Sequence, residues 1–261
     1  MERQDLRNQK GEVEFRRLLV RQQVQGADIF ADEISADEMI RVLEQRMTVT
    51  AGHLRELRNR GVTLSPYVEI GAERGQRSLV MENDLGAHGA AADLSFDMLG
   101  SAAHWATAFQ RPRLPLRVCC DVYNLPFRSE SLPFVFCYET LHHFPDPSPV
   151  LDEVRRVLGP GGWFFFEEEP FRRALRQKLF RTRKAADPRA GKVARLLHTL
   201  LHYVSEPDYN EVKYGILENH SIPIAKWRSA LDGFEQRMRA ALRFLAPKPH
   251  VRVGTTVTAS S

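Results

Sequence analysis

Three acids stand at the ends of three short apolar runs. Glu69 lies within Tyr67–Ile70, Asp93 follows Ala87–Ala92, and Asp121 follows Leu116–Cys120. A carboxylate at a strand tip can accept paired ribose hydroxyls, which suits Asp93. At the next tip, Asp121 can accept the exocyclic amine of adenine while the Val122 N–H serves a ring nitrogen. Parallel sheets bind ligands in this place, at the carboxyl ends of strands where strand order reverses. The spacing therefore predicts an adenosyl site on an α/β sheet.

The turn after the first run selects among adenosyl ligands. Gly71 and Gly75 flank Ala72, Glu73 and Arg74, and glycine lets the chain turn tightly and approach a ligand closely. Dinucleotide sites use G-x-G-x-x-G, with the diphosphate seated on a helix N-terminus. Here the pattern is E-x-G-x-x-x-G, and Glu73 occupies the place of a middle glycine. At about 6 Å and an effective dielectric of about 20, each carboxylate–phosphate repulsion costs roughly 3 kcal/mol, which Arg74 and Arg77 would offset in part. A ligand carrying an ammonium and a sulfonium meets no such conflict, so the turn favours S-adenosylmethionine over NAD. Taken alone, a G-x-x-x-G turn is equally an ordinary strand-to-helix connection.

Candidate chemistry lies further along the chain. His142 and His143 follow the run Val135–Tyr138, near the place where a transferable methyl group belongs, and a histidine titrates close to neutrality. Both also suit a plainer task, capping a helix or packing beneath the loop. Tyr138 and Glu139 sit at the strand end itself. Glu167 and Glu169 alternate to one side of the next strand end, where they either meet solvent or bind a cationic acceptor. Spacing suited to a metal is not evident among these groups.

The elements that position these residues are legible from pattern. Gln76–Asn83 reads as a helix beneath the first turn, and Val150–Leu158 as another, stopped by Gly159-Pro160-Gly161-Gly162. Pro133 is expected before the fourth strand, since proline cannot serve a central ladder. Upstream, Phe15, Leu18 and Leu19 suggest a short amphipathic helix. A longer one is marked by Ser35 with Glu38 three residues on, keeps apolar spacing to Leu57, and stops at Gly61, with Gly52 a point where it divides. These helices either cover the ligand cleft or simply pack on the sheet. Downstream, Phe171–Leu179 and Val193–Val204 carry helical stripes, Trp227–Leu231 suits a last crossover helix, and Phe234–Leu242 with Val251–Thr258 a terminal hairpin.

Composition bounds the rest. With 261 residues, 43% of them hydrophobic, the chain can bury a large core. The net charge of +4 conceals an asymmetry: Arg172–Arg195 holds ten Lys or Arg and one acid, Asp187, a local +9 that leaves −5 elsewhere. That segment is either a solvated face or a surface for an anionic acceptor or a membrane. Nucleic acid is disfavoured, because strands rich in stacking aromatics are lacking and no Asn-Pro-Pro-Tyr-like stretch occurs. Three cysteines make no disulfide framework, and Met1–Lys10 has no apolar signal core, so a cytoplasmic protein is expected.

In order, E-I-G-A-E-R-G, D-L-S-F-D-M-L, D-V-Y-N-L-P-F, L-H-H-F-P-D-P and E-V-R-R-V-L-G-P-G-G span Tyr67–Glu167. This series resembles the class I S-adenosylmethionine-dependent methyltransferases of the ubiquinone/menaquinone-type small-molecule group. The resemblance implies a Rossmann-like, doubly wound, mostly parallel seven-stranded sheet with an antiparallel terminal hairpin. It divides the chain into an N-terminal helical cap (1–64), the cofactor-binding core (65–170), a basic helical insertion or lid (171–225) and the closing elements of the core (226–261). It implies that Glu69, Gly71, Ala72 and Gly75 cradle the methionine part, that Asp93 takes the ribose and that Asp121 with Val122 takes the adenine. Leu94, Met98 and Tyr138 line the same cofactor, and His142 or His143 would act as base toward a small-molecule or glycan-type acceptor. The run Tyr214–Asn219 also resembles methyltransferases of glycan assembly. Glu73 departs from the family's turn, and a residue with a Cβ held at positive φ costs about 1–2 kcal/mol. A cofactor-free methyltransferase-like binding module and an NAD-dependent oxidoreductase are the alternatives.

Overall fold

The structure is a computed structural model that describes residues 3–24, 36–167, 169, 224–232, 234–239 and 254–259. Its centre is β1 (Tyr67–Ile70), a four-residue strand, apolar but for Glu69, with both faces buried. Such continuous burial is typical of a strand with helices on both sides. Around it lie β2 (Gly89–Asp93), β3 (Leu116–Cys119), β4 (Leu132–Tyr138) and β5 (Leu158–Glu167), all parallel, in the order β3-β2-β1-β4-β5. Strand order reverses between β1 and β4. The crevice at their carboxyl ends is the ligand position of a doubly wound sheet.

Side-chain alternation splits the core in two. Tyr67, Phe134, Phe136 and Phe165 face α2 (Ala36–Asn59) and α3 (Gln76–Asp84), together with Met47, Leu54, Leu79 and Met81. Val68, Ile70, Val135, Phe164 and Phe166 face α6 (Ser148–Val157) and α7 (Ile224–Ala230), which contribute Leu151, Val154 and Trp227. Between α3 and α6 in the chain lie two short helices, α4 (Phe96–Gly100) and α5 (Ala102–Ala108).

The parallel part of the seven-stranded sheet has five strands. The other two, β6 (Phe234–Arg239) and β7 (Gly254–Ala259), form an antiparallel pair at one edge, with β7 against β5. Several expectations need correction. Pro133 lies inside β4 rather than before it. The register shifts between Leu132 and Phe134, and β1 pairs only from Phe134 onward, so no ladder position needs the missing N–H. The N-terminal helix α1 runs Arg3–Val24, far beyond the short segment its apolar residues suggested.

Nor does α2 divide at Gly52. Met47, Thr50, Ala51 and Leu54 form one buried face on both sides of that glycine, which itself is exposed. Ser35 and residues 171–223 of the basic insertion (171–225) lie outside the described residues. A Cβ added at Gly52 would meet nothing within 4 Å. Gly52→Ala should therefore raise stability by about 1 kcal/mol, read as a higher urea midpoint at unchanged slope; an unchanged or lower midpoint would contradict a continuous α2.

Candidate cofactor and acceptor site

The turn after β1 is held by close approach. Gly71 has φ +65° and Gly75 φ +72°. A Cβ on Gly71 would fall 2.4 Å from Thr140 Cγ2 and 2.5 Å from its Oγ1, so glycine is required there by space as well as conformation. Thr140 Oγ1 in turn lies 2.9 Å from the Tyr138 carbonyl and 3.4 Å from that of Ile70, joining the β4 end to the end of β1. Ala72, buried, donates its N–H to the Ala92 carbonyl at 3.1 Å. Glu73 adopts φ +49°, as its place in the motif foretold.

The three acids stand at neighbouring strand ends. Glu69, 1% exposed, accepts from the Ser78 N–H at 2.9 Å and Ser78 Oγ at 2.6 Å, tying β1 to α3. Burial, opposed by Arg77 and these bonds, pushes its carboxyl up to about 7. Asp93 accepts from the Glu73 N–H at 2.8 Å and the Ser95 N–H at 2.7 Å, and burial raises it to about 6. Asp121 accepts from the Tyr123 N–H at 3.0 Å, capping a 3-10 turn that begins at Val122, and from Gln9 Nε2 at 2.9 Å. Ser95 caps α4 and accepts from the Met98 N–H, which holds the buried Met98 and half-buried Leu94 beside Asp93. Tyr138 is buried with the Arg77 guanidinium 3.3 Å from its ring centroid.

The donor chemistry of this set fits S-adenosylmethionine. Carboxyl groups raised by burial gain from a nearby cation and from hydroxyl or amine donors, whereas a diphosphate would add charge of the same sign. Glu69, the 71–75 turn, Asp93 and Asp121 with Val122 are the residues that would hold it.

On the other side of the crevice lie groups whose setting differs from the expectation. Glu167 and Glu169 are not a solvated strand end: they are 1% and 2% exposed. Glu169 accepts from the N–H groups of Thr140, Leu141 and His142 at 2.7, 2.8 and 3.1 Å, and contacts His142 Nδ1 at 2.9 Å. His142 is thus buried and held by a carboxylate, and its ring lies 4.3 Å from that of His143. Glu167 Oε1 lies 2.6 Å from Nδ1 of His53 on α2. Glu139, at φ +48°, meets Arg46 of α2 at 3.2 Å.

The helix α1 was the main omission. Gln9, Arg16 and Arg17 reach Asp121, Glu73 and Asp97. Their i, i+7, i+8 spacing is a polar stripe beside the apolar Phe15, Leu18 and Leu19. The cysteines are free, and burial with neighbouring carboxylates pushes the Cys120 thiol up to about 11, leaving it a poor nucleophile.

Comparison with known proteins agrees with this geometry. Residues 68–166 match the family described as a methyltransferase domain. Over 73 residues, 24% of this chain, the sequence is 38% identical to an uncharacterised chloroplastic methyltransferase of Arabidopsis thaliana, of which it spans 21%. A similar fold occurs in the complex between the Haloferax volcanii Trm112 methyltransferase activator and a methyltransferase (TM-score 0.56, 17% identity, 87% of this chain and 96% of that one). Another is the magnesium protoporphyrin IX methyltransferase of Synechocystis, solved with S-adenosylhomocysteine (TM-score 0.55, 13% identity, 93% and 94%). The stretch 68–166 is thus similar to a methyltransferase domain, and its fold is shared with a structure solved with S-adenosylhomocysteine.

Both Glu69 and Asp93 titrate higher in the folded chain than in the unfolded one, so the unfolded state loses its protons first as pH rises. Stability should therefore fall from about pH 4 to pH 7, by a total on the order of a few kcal/mol. Asp146 and Glu153, which bonds to Ser148 and Arg156 hold below the usual range, act in the opposite sense only toward lower pH. Glu69→Gln should flatten the decline in denaturant titrations across that window; a slope identical to wild type would contradict the burial of an ionisable Glu69.

Proposed function

We propose that this chain transfers a methyl group from S-adenosylmethionine to a small-molecule or glycan- or lipid-linked acceptor, as a cytoplasmic enzyme of the ubiquinone/menaquinone-type group. The observation that carries the reading is the convergence of Glu69, Asp93 and Asp121 on adjacent strand ends, beside a turn that suits no diphosphate. Asp93 takes the ribose hydroxyls, Asp121 and the Val122 N–H take the adenine, and the 71–75 turn with Glu69 takes the methionine part. Leu94, Met98 and Tyr138 wall the pocket. When bound, the cofactor supplies an electrophilic methyl group on a sulfonium.

Transfer is then governed by placement of the acceptor, and positioning supplies much of the acceleration. An acceptor that must lose a proton needs a base. His142 is assigned that role: Glu169 fixes its ring through Nδ1 and favours the imidazolium that forms. His143, its ring tilted against that of His142, restricts its rotation. The basic insertion, 171–225, is assigned to recognition of an anionic group on the acceptor.

A thermal shift experiment tests this directly. S-adenosylhomocysteine at about 100 times its dissociation constant should stabilise the protein by roughly 2.7 kcal/mol, and NADH should not. Asp93→Ala should abolish the shift, while His143→Ala should leave it intact. A shift with NADH alone supports an oxidoreductase, and no shift with either supports a non-catalytic binding module.

A further inference from the structure

Glu73 stands where a middle glycine falls in related turns, and two contacts hold it in its left-handed conformation. Its N–H donates to Asp93 Oδ2 at 2.8 Å. Its carboxylate is paired with the Arg16 guanidinium of α1, which also bonds Glu12 one turn earlier, Nε to Oε1 at 2.5 Å. Arg74 adds a longer contact at 3.8 Å. The pair is partly shielded, with side chains 18% and 29% exposed. From the same helix, Gln9 reaches Asp121 and Arg17 reaches Asp97 at 3.2 Å. One helix thereby touches the turn after β1, the helix α4 that follows β2 and the turn after β3. Its apolar anchoring is slight: Leu19 is the one buried apolar side chain described on α1.

We propose that Glu73 and Arg16 are positioning residues for cofactor binding. They act through Asp93, on the assignment of Asp93 to the ribose made above. The Arg16 guanidinium fixes the far end of the Glu73 side chain. The backbone between is thereby constrained to keep its N–H on Asp93 Oδ2, which orients the carboxylate and leaves its remaining lone pairs directed to the crevice. A glycine at 73 would relieve the conformational strain but remove the side-chain anchor, and glycine is also the residue with most freedom to turn its N–H away. The departure from the family's turn is thus a replacement of backbone freedom by an ionic tether. The consequence runs against simple analogy: Glu73→Gly, which installs the residue of related turns, weakens cofactor binding.

The experiment measures dissociation constants for S-adenosylhomocysteine and its 2′-deoxy analogue, with hydrogen exchange of residues 9–21. The proteins are wild type, Glu73→Gly, Arg16→Ala, Arg16→Lys and the exchanged pair Arg16→Glu with Glu73→Arg. Both Glu73→Gly and Arg16→Ala are expected to weaken S-adenosylhomocysteine about tenfold and to shrink the preference over the 2′-deoxy analogue. Arg16→Lys should retain most of both, the exchanged pair should recover them, and α1 should exchange faster only in the two disrupted proteins. Equal or tighter binding by Glu73→Gly, with its ribose preference intact, overturns the proposal. So does faster exchange of α1 with an unchanged ribose preference, the signature of a helix pin alone. Absence of binding by the wild type instead overturns the cofactor assignment itself.

Discussion

The carboxylate of Asp93 is the point on which this site depends. It accepts the N–H of Glu73 from the loop after β1 and that of Ser95 from the loop after β2. Two strand ends are thereby joined by one charged group that burial has raised. Around it the other constraints fall into place. Gly71 must be glycine because Thr140 occupies the space of its Cβ, and Thr140 is itself set by β4. The parallel ladder sets Glu69 opposite Ala91 and Asp93 opposite Cys119, two residues before Asp121.

The crevice divides by chemistry along the sheet. Toward β3 it is lined by carboxylates that can accept hydroxyls and amines, and helix α1 supplies the counter-charges. Toward β5 the carboxylates are already engaged by histidines, Glu169 with His142 and Glu167 with His53. Burying an ionised acid is costly unless it is paired and hydrogen-bonded, and Glu169 meets that requirement with three backbone N–H groups. Two chemically distinct halves follow from one sheet, separated by the reversal of strand order.

Much of this was legible in the sequence, for physical reasons. The strands around Glu69, Asp93 and Asp121 are short apolar runs ended by acids, and the glycines at 71 and 75 punctuate the turn, so periodicity and turn chemistry located them. The positive φ at Glu73 followed from its place in the motif. What escaped were contacts made by polar residues at long separation. Nothing local in Gln9, Arg16 or His53 announces a partner, because a polar helical stripe reads as solvent-facing until the sheet is placed beneath it. Glu167 and Glu169 misled for the same reason: an acid run at a strand end is usually wet, and here α2 and the 140–142 turn cover it. Pro133 misled because a register shift frees one ladder position. The basic segment Arg172–Arg195 was legible only as charge.

Binding of S-adenosylmethionine, measured by calorimetry at pH 6 in buffers of different ionisation enthalpy, tests the central claim most directly. If the strand-end acids grip a cation, ligand binding draws Glu69 and Asp93 toward their ionised forms. Protons are then released, and affinity rises from pH 5 to pH 7. Binding with no proton exchange, or with uptake, would mean that these carboxylates do not face the ligand.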